Sequence, residues 1–235
     1  MAKFAIYYVP PADSKLYQRG SEILGYDVRA GQFLPEQNPT RTALPEFDVA
    51  WIAQPQTYGF HMTVGYSLYF DMAQLAAIEH EMLHVFACFG RDIQFQLKPA
   101  IDEWIPFWRE EIVVLHYEPN PAMLMLHTMI IARINPFGTG SNLSKAYEQK
   151  SSEELDPVLK QRVKQYHTPY MLDGWVPHFS LMYPYTGEHP QQMKRTLLDL
   201  FPPQPLAVES ICLLIRDDAE THYRLYREFH IADFP

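Results

Sequence analysis

Cysteine, glycine and long apolar runs are all scarce in this sequence. Only Cys88 and Cys212 occur among 235 residues, each alone in an apolar stretch, which excludes a disulfide framework, a zinc knuckle and a CxxC redox pair. Both thiols read as buried core residues. Ten glycines, against 20 prolines and no low-complexity tract, exclude a disordered polymer and point to a compact chain with ordered loops. No apolar run approaches the roughly 20 residues that cross a bilayer as a helix. The apolar start over 4–9 closes at Pro10-Pro11 and is too short for a signal peptide, so the expectation is a cytoplasmic protein without membrane contact. Basic residues are outnumbered 19 to 28, for a formal net charge of −9. Such a surface repels long nucleic acid but leaves a small phosphorylated ligand possible, since that needs only a local cluster of donors.

What is present is enough apolar material, 47% of residues, to bury a substantial core in a single domain over 1–235, expected as a monomer. Strands are expected at 4–9, 60–70, 92–100, 112–117, 179–183, 207–215 and 223–231. Helices are expected from Asp13 or Ser14 to Gly25, from the Asp71 cap to Gly90, over 122–134, from Pro157 to Tyr166 and over 191–201. The proline-rich stretch 25–55 and the stretch 136–152 read as loops. Strands able to pair as hairpins, interleaved with helices, make an α+β fold.

One short pattern is written twice. Tyr58-Gly59-Phe60-His61-Met62-Thr63-Val64-Gly65-Tyr66 and Trp175-Val176-Pro177-His178-Phe179-Ser180-Leu181-Met182-Tyr183 both read aromatic, two residues, His, apolar, hydroxyl, apolar, any, Tyr. They lie about half the chain apart, as one motif per half of a duplicated architecture would. Residues two apart on a strand share a face, so His61 stands beside Thr63 and His178 beside Ser180. Each pair is half a phosphate site: an imidazole that can be base or acid near neutral pH, and a hydroxyl that can donate to a non-bridging oxygen. The aromatics three before and five after each His fall on the opposite face of a regular strand, so Tyr58, Tyr66, Trp175 and Tyr183 read as core. A histidine on a strand is ordinarily a hydrogen-bonded structural residue; the shared flanks argue for function here.

With these motifs the chain resembles the 2H phosphoesterase superfamily, which includes bacterial RNA 2′,3′-cyclic phosphodiesterases and ADP-ribose cyclic phosphate hydrolases. Further stretches resemble a bacterial branch associated with phosphonate metabolism: Phe4-Ala5-Ile6-Tyr7-Tyr8-Val9-Pro10-Pro11-Ala12-Asp13-Ser14, Leu24-Gly25-Tyr26-Asp27, Tyr58-Gly59-Phe60-His61 and Thr168-Pro169-Tyr170-Met171-Leu172-Asp173. The resemblance implies a bilobal duplicated fold, two antiparallel sheets forming a central cleft with helices outside. It implies catalytic His61 and His178, phosphate-binding Thr63 and Ser180, no metal and no cofactor. The implied substrate is a small phosphodiester, such as a nucleotide or sugar cyclic phosphate or a phosphonate-derived diester. The chain departs from the branch pattern at Gly138-Thr139-Gly140, where an arginine is expected after Asn135-Pro136-Phe137, and carries Ser180 where Thr is usual.

Two other functions compete. His80-Glu81-Met82-Leu83-His84 spells the HExxH motif of zinc hydrolases. At about 100° per residue both histidines turn away from the apolar face of their helix, and a third ligand is wanting unless Asp102 or Glu103 serves. The other alternative is a phosphate- or nucleotide-binding module without turnover. Gly138-Thr139-Gly140-Ser141-Asn142 lacks the lysine and spacing of a phosphate loop and reads as a connector. Nothing in the sequence places Lys98, Arg133 or Arg216 near the histidines.

Overall fold

The computed structural model describes residues 1–90, 93–148 and 156–233. The first half contains β1 (Lys3–Tyr8), α1 (Lys15–Leu24), a ribbon of β2 (Tyr26–Asp27) and β3 (Gln32–Phe33), α2 (Pro39–Ala43) and α3 (Ala53–Tyr58). There follow β4 (Met62–Tyr69), α4 (Leu75–Ala87), β5 (Gln96–Pro99), β6 (Phe107–Trp108), β7 (Ile112–Pro119) and α5 (Pro121–Ile134). The chain continues through α6 (Asn142–Glu148), α7 (Pro157–Tyr166), β8 (His178–Met182), α8 (Pro190–Leu200), β9 (Leu206–Ala207), β10 (Ser210–Arg216) and β11 (Arg224–His230).

Local chemistry explains most of these boundaries. Ser14 caps α1 by accepting from the Tyr17 N–H, and Gly25 ends it in the left-handed region at φ 70°. Asn120 caps α5 with Pro121 in its first turn, where a missing N–H costs nothing. The same rule explains why 25–55 is not a plain loop: Pro39 opens α2 behind the Asn38 cap, and Pro55 lies in the first turn of α3. Nor is 136–152 loop throughout. Ser141 and Ser144 bond reciprocally, each backbone N–H to the other's hydroxyl at 2.9 and 2.8 Å, a serine version of the capping box that starts α6. Residues 149–152 of that stretch, and residue 92 at the start of the expected 92–100 strand, lie outside the described residues.

The strands form one antiparallel path in the order β11-β10-β1-β4-β8-β7-β5-β9, with β6 on β7. The fold is α+β with a large antiparallel sheet. In place of two comparable sheets there is this continuous one, and the only other sheet among the described residues is the β2-β3 ribbon. Between β4 and β8 the path is joined by a single pair, Met62 with Phe179. β1 is central and buried on both faces, which is why its sequence does not alternate. Helix α5 packs on β4 and α4. Cys212 is buried in β10, but Cys88 is exposed, contrary to the core expectation. It sits one turn beyond His84 on the outward side of α4, its thiol donating to the His84 carbonyl at 3.3 Å.

Candidate functional site

The single β4-β8 pair sets the geometry of the site. His61 immediately precedes β4 and His178 opens β8, so both motifs meet at the joint. Extending the antiparallel register by one residue either way sets His61 beside Ser180 and Thr63 beside His178. The two histidines then stand diagonally, a relation that ordinarily spans about 7–8 Å. All four side chains line one cavity of about 340 Å³.

The two imidazoles are held alike. His61 Nδ1 lies 2.8 Å from the Gly59 carbonyl, and His178 Nδ1 lies 2.7 Å from the Val176 carbonyl, in each case the residue two positions back. A carbonyl can only accept, so Nδ1 carries the proton in both rings and Nε2 keeps its lone pair. Thr63 Oγ1 lies 3.4 Å from His61 Nε2. Gly59 makes the first anchor possible: its φ is +72°, and a Cβ there would come within 2.4 Å of Val28. Each ring also rests on an aromatic that sequence reasoning missed. Tyr7 stacks on His61 at 3.7 Å, and Trp108 meets His178 edge-on at 4.8 Å. Burial lowers His61 from the ordinary imidazole range to about 4; the Gly59 carbonyl opposes the shift and the charge of His178 adds to it. Burial lowers His178 too, opposed by the Val176 carbonyl and reinforced by the charge of His116. Both rings are therefore neutral near pH 7 in the ligand-free protein.

The flanking aromatics need correction. Trp175 is core, as expected, but Tyr58, Tyr66 and Tyr183 line the cavity. Regular alternation fails because each motif carries a β-bulge at the same offset from its histidine. Opposite β1, Ile6 pairs with Gly65 and Tyr7 with Thr63, so two steps on β4 face one on β1. Opposite β7, Val113 pairs with Met182 and Val114 with Ser180, the same excess on β8. An extra residue reverses the parity of everything beyond it, which turns Tyr66 and Tyr183 onto the histidine face. Tyr58 belongs to the last turn of α3 instead of a strand.

Trp175 ties the motifs together. Its Nε1 donates to the Thr63 carbonyl at 3.0 Å, and its ring stacks on His127 at 4.2 Å with 5° between planes. His127, from α5, in turn bonds the Val64 carbonyl at 2.7 Å. Burial lowers His127 to about 4, so it is a neutral packing residue.

Lys3, Ser67, Ser141 and Asn142 also line the cavity, and no carboxylate does among the described residues. The 138–142 connector thus contributes two residues to the wall. Lys98, Arg133 and Arg216 do not line it. The HExxH helix is elsewhere. His80 and His84 are exposed, as their helical phase implies, and Glu81 is engaged by Arg133 and by His84 Nδ1 at 3.6 Å. Glu103, offered as a third ligand, instead approaches His116 at 3.9 Å. Among the described residues no group of three or more His, Cys, Asp or Glu side chains could hold a metal ion.

No family model matches the chain, and no curated protein matches it. One solved structure that does match is described as the crystal structure of a phosphoesterase, with 13% identity over 98% of each chain and a TM-score of 0.44. A likeness at that level carries no argument about activity. No described helix is long and apolar enough to cross a membrane.

Proposed function

We propose that the protein is a phosphoesterase that hydrolyses or transesterifies a small, cyclic phosphodiester by acid and base catalysis between His61 and His178, with Thr63 and Ser180 as donors to the phosphoryl oxygens and without a metal. The observation that carries this reading is the matched pair of imidazoles, each fixed by an Nδ1–H to a backbone carbonyl, in one cavity that no carboxylate lines among the described residues. Their two bare Nε2 atoms provide the two proton sites that phosphodiester cleavage requires. The two half-sheets that meet at Met62 and Phe179 correspond, in this reading, to the halves of a duplicated fold.

In this scheme His61, which burial lowers to about 4, is the neutral base, and His178 carries the proton for the leaving group. His61 Nε2 removes a proton from water as its oxygen bonds phosphorus. His178 Nε2 delivers a proton to the leaving oxygen as the old P–O bond breaks. The hydroxyls of Thr63 and Ser180 stabilise charge on the non-bridging oxygens. Proton exchange with solvent restores the starting pair.

The pKa directions set a pH dependence. The active free enzyme has His178 protonated and His61 neutral. Activity measured as kcat/KM falls as pH drops through about 4, where His61 protonates, and falls again as pH rises past the lowered value of His178, below the ordinary 6.5. A bound phosphodiester anion favours imidazolium, so the kcat profile lies at higher pH than that of kcat/KM. A kcat/KM profile flat from pH 5 to 9 overturns the assignment.

The reading is tested by screening cyclic nucleotides, sugar cyclic phosphates and phosphonate-derived diesters for turnover and binding together. Turnover should survive exhaustive chelation, and His84→Ala should stay within about twofold of the parent. Tight binding without turnover across the panel would identify a binding module; activity lost to chelator and restored by zinc would identify a metal enzyme.

A further inference from the structure

The cavity has a second end, about four residues along β1 from the histidines, and its chemistry is different. Lys3 and Tyr7 share a face of β1, so their Cα atoms stand about 13 Å apart by strand rise. Tyr7 lies against His61, which marks the catalytic end. Lys3 lines the other end and is only 5% exposed. Lys3 is in none of the ion pairs among the described residues, and its Nζ sits 4.2 Å over the Tyr69 ring. A lysine this buried without an acidic partner is uncommon, and here the face of the Tyr69 ring is the contact its ammonium makes. The surroundings reinforce the charge. Arg216 is the cross-strand neighbour of Lys3 on β10, and its buried Nε has no hydrogen-bond partner. Tyr69 donates to Asn142 Oδ1 at 2.6 Å, which leaves the Asn142 amide N–H groups available beside the hydroxyl of Ser67, while the Ser141 hydroxyl is engaged with the His167 carbonyl at 3.1 Å.

We propose that this end is a second anion subsite, for a terminal phosphate monoester carried by the substrate at the end remote from the reacting phosphodiester. The inference rests on the phosphoesterase reading for which end reacts. It narrows the substrate to a doubly anionic molecule with a nucleoside-sized body between its two phosphates, lying against Tyr58 and Tyr66. The ammonium of Lys3 supplies the charge, and Asn142 and Ser67 supply neutral donors. In a protein with 28 acidic residues and a net charge of −9, a cavity that no described carboxylate lines concentrates positive potential where the second phosphate would sit.

The test compares adenosine 2′,3′-cyclic phosphate with and without a 5′-phosphate, measuring calorimetric binding and turnover with the intact protein. The 5′-phosphorylated compound should bind at least about tenfold more tightly, with kcat/KM favouring it by a similar ratio. Lys3→Met should bring the ratio toward one, and Lys3→Arg should keep most of it. Asn142→Asp, at an exposed position that leaves the core untouched, should also collapse the ratio by placing a carboxylate in the subsite. Equal affinities in the parent protein, no binding of either compound, or selectivity unchanged in both Lys3→Met and Asn142→Asp would overturn the proposal. Selective binding without turnover would leave the subsite standing and remove the phosphoesterase reading alone.

Discussion

His61→Gln and His178→Gln should each lower kcat by about 10²–10⁴-fold with little change in stability. Glutamine keeps a side chain able to reach the carbonyl two residues back, so the anchor to Gly59 or Val176 has a replacement donor. It has no group that exchanges a proton near neutral pH, and that is the property under test. The double variant should be scarcely slower than the worse single one, because a base without its acid leaves the leaving oxygen unprotonated. Steady-state rates on the best substrate, with urea midpoints as the control for folding, decide the matter. If either variant retains near-parent turnover, the two-histidine mechanism is wrong, whatever the cavity binds.

The second large effect concerns Trp175, which touches no substrate in this scheme. Trp175→Ala should destabilise the protein by about 3–5 kcal/mol, the usual range for deleting a buried tryptophan. The indole is buried, stacks on His127 and donates to the Thr63 carbonyl, so its loss opens a cavity and leaves a backbone acceptor unpaired beside the first motif. Trp175→Phe separates these contributions. It retains most of the ring but not the N–H, and should cost about 1–3 kcal/mol for the unsatisfied carbonyl. Urea unfolding with an unchanged m-value measures both. If Trp175→Ala costs less than about 1 kcal/mol, the motifs are not joined through this ring.

Much of the fold was legible because its signals are local. Ser14 with Gly25, and Asp71 ahead of an amphipathic run, mark helix ends whatever surrounds them. Prolines misled where they were taken only as breakers: Pro39 and Pro55 occupy first turns, where the same residue favours a helix. Cys88 misled because an apolar neighbourhood in sequence is not a buried face of a helix, and its phase turns it outward with His84.

The site divides the same way. Two-residue spacing alone put His61 with Thr63 and His178 with Ser180, since alternation on a strand is a property of the backbone itself. The faces of Tyr66 and Tyr183 depended on bulges, and a bulge exists only relative to a partner strand, here β1 and β7. Lys3, Tyr7 and Trp108 carry no motif at all. Pairing across the sheet, Lys3 with Tyr69 and Tyr7 with Thr63, is what brings them to the cavity. The sequence by itself therefore determined which residue types stand side by side within each motif. Only the tertiary structure decided that the motifs meet at one joint, which aromatics turn toward them and where a buried cation lies, because strand register is set by partners far away along the chain.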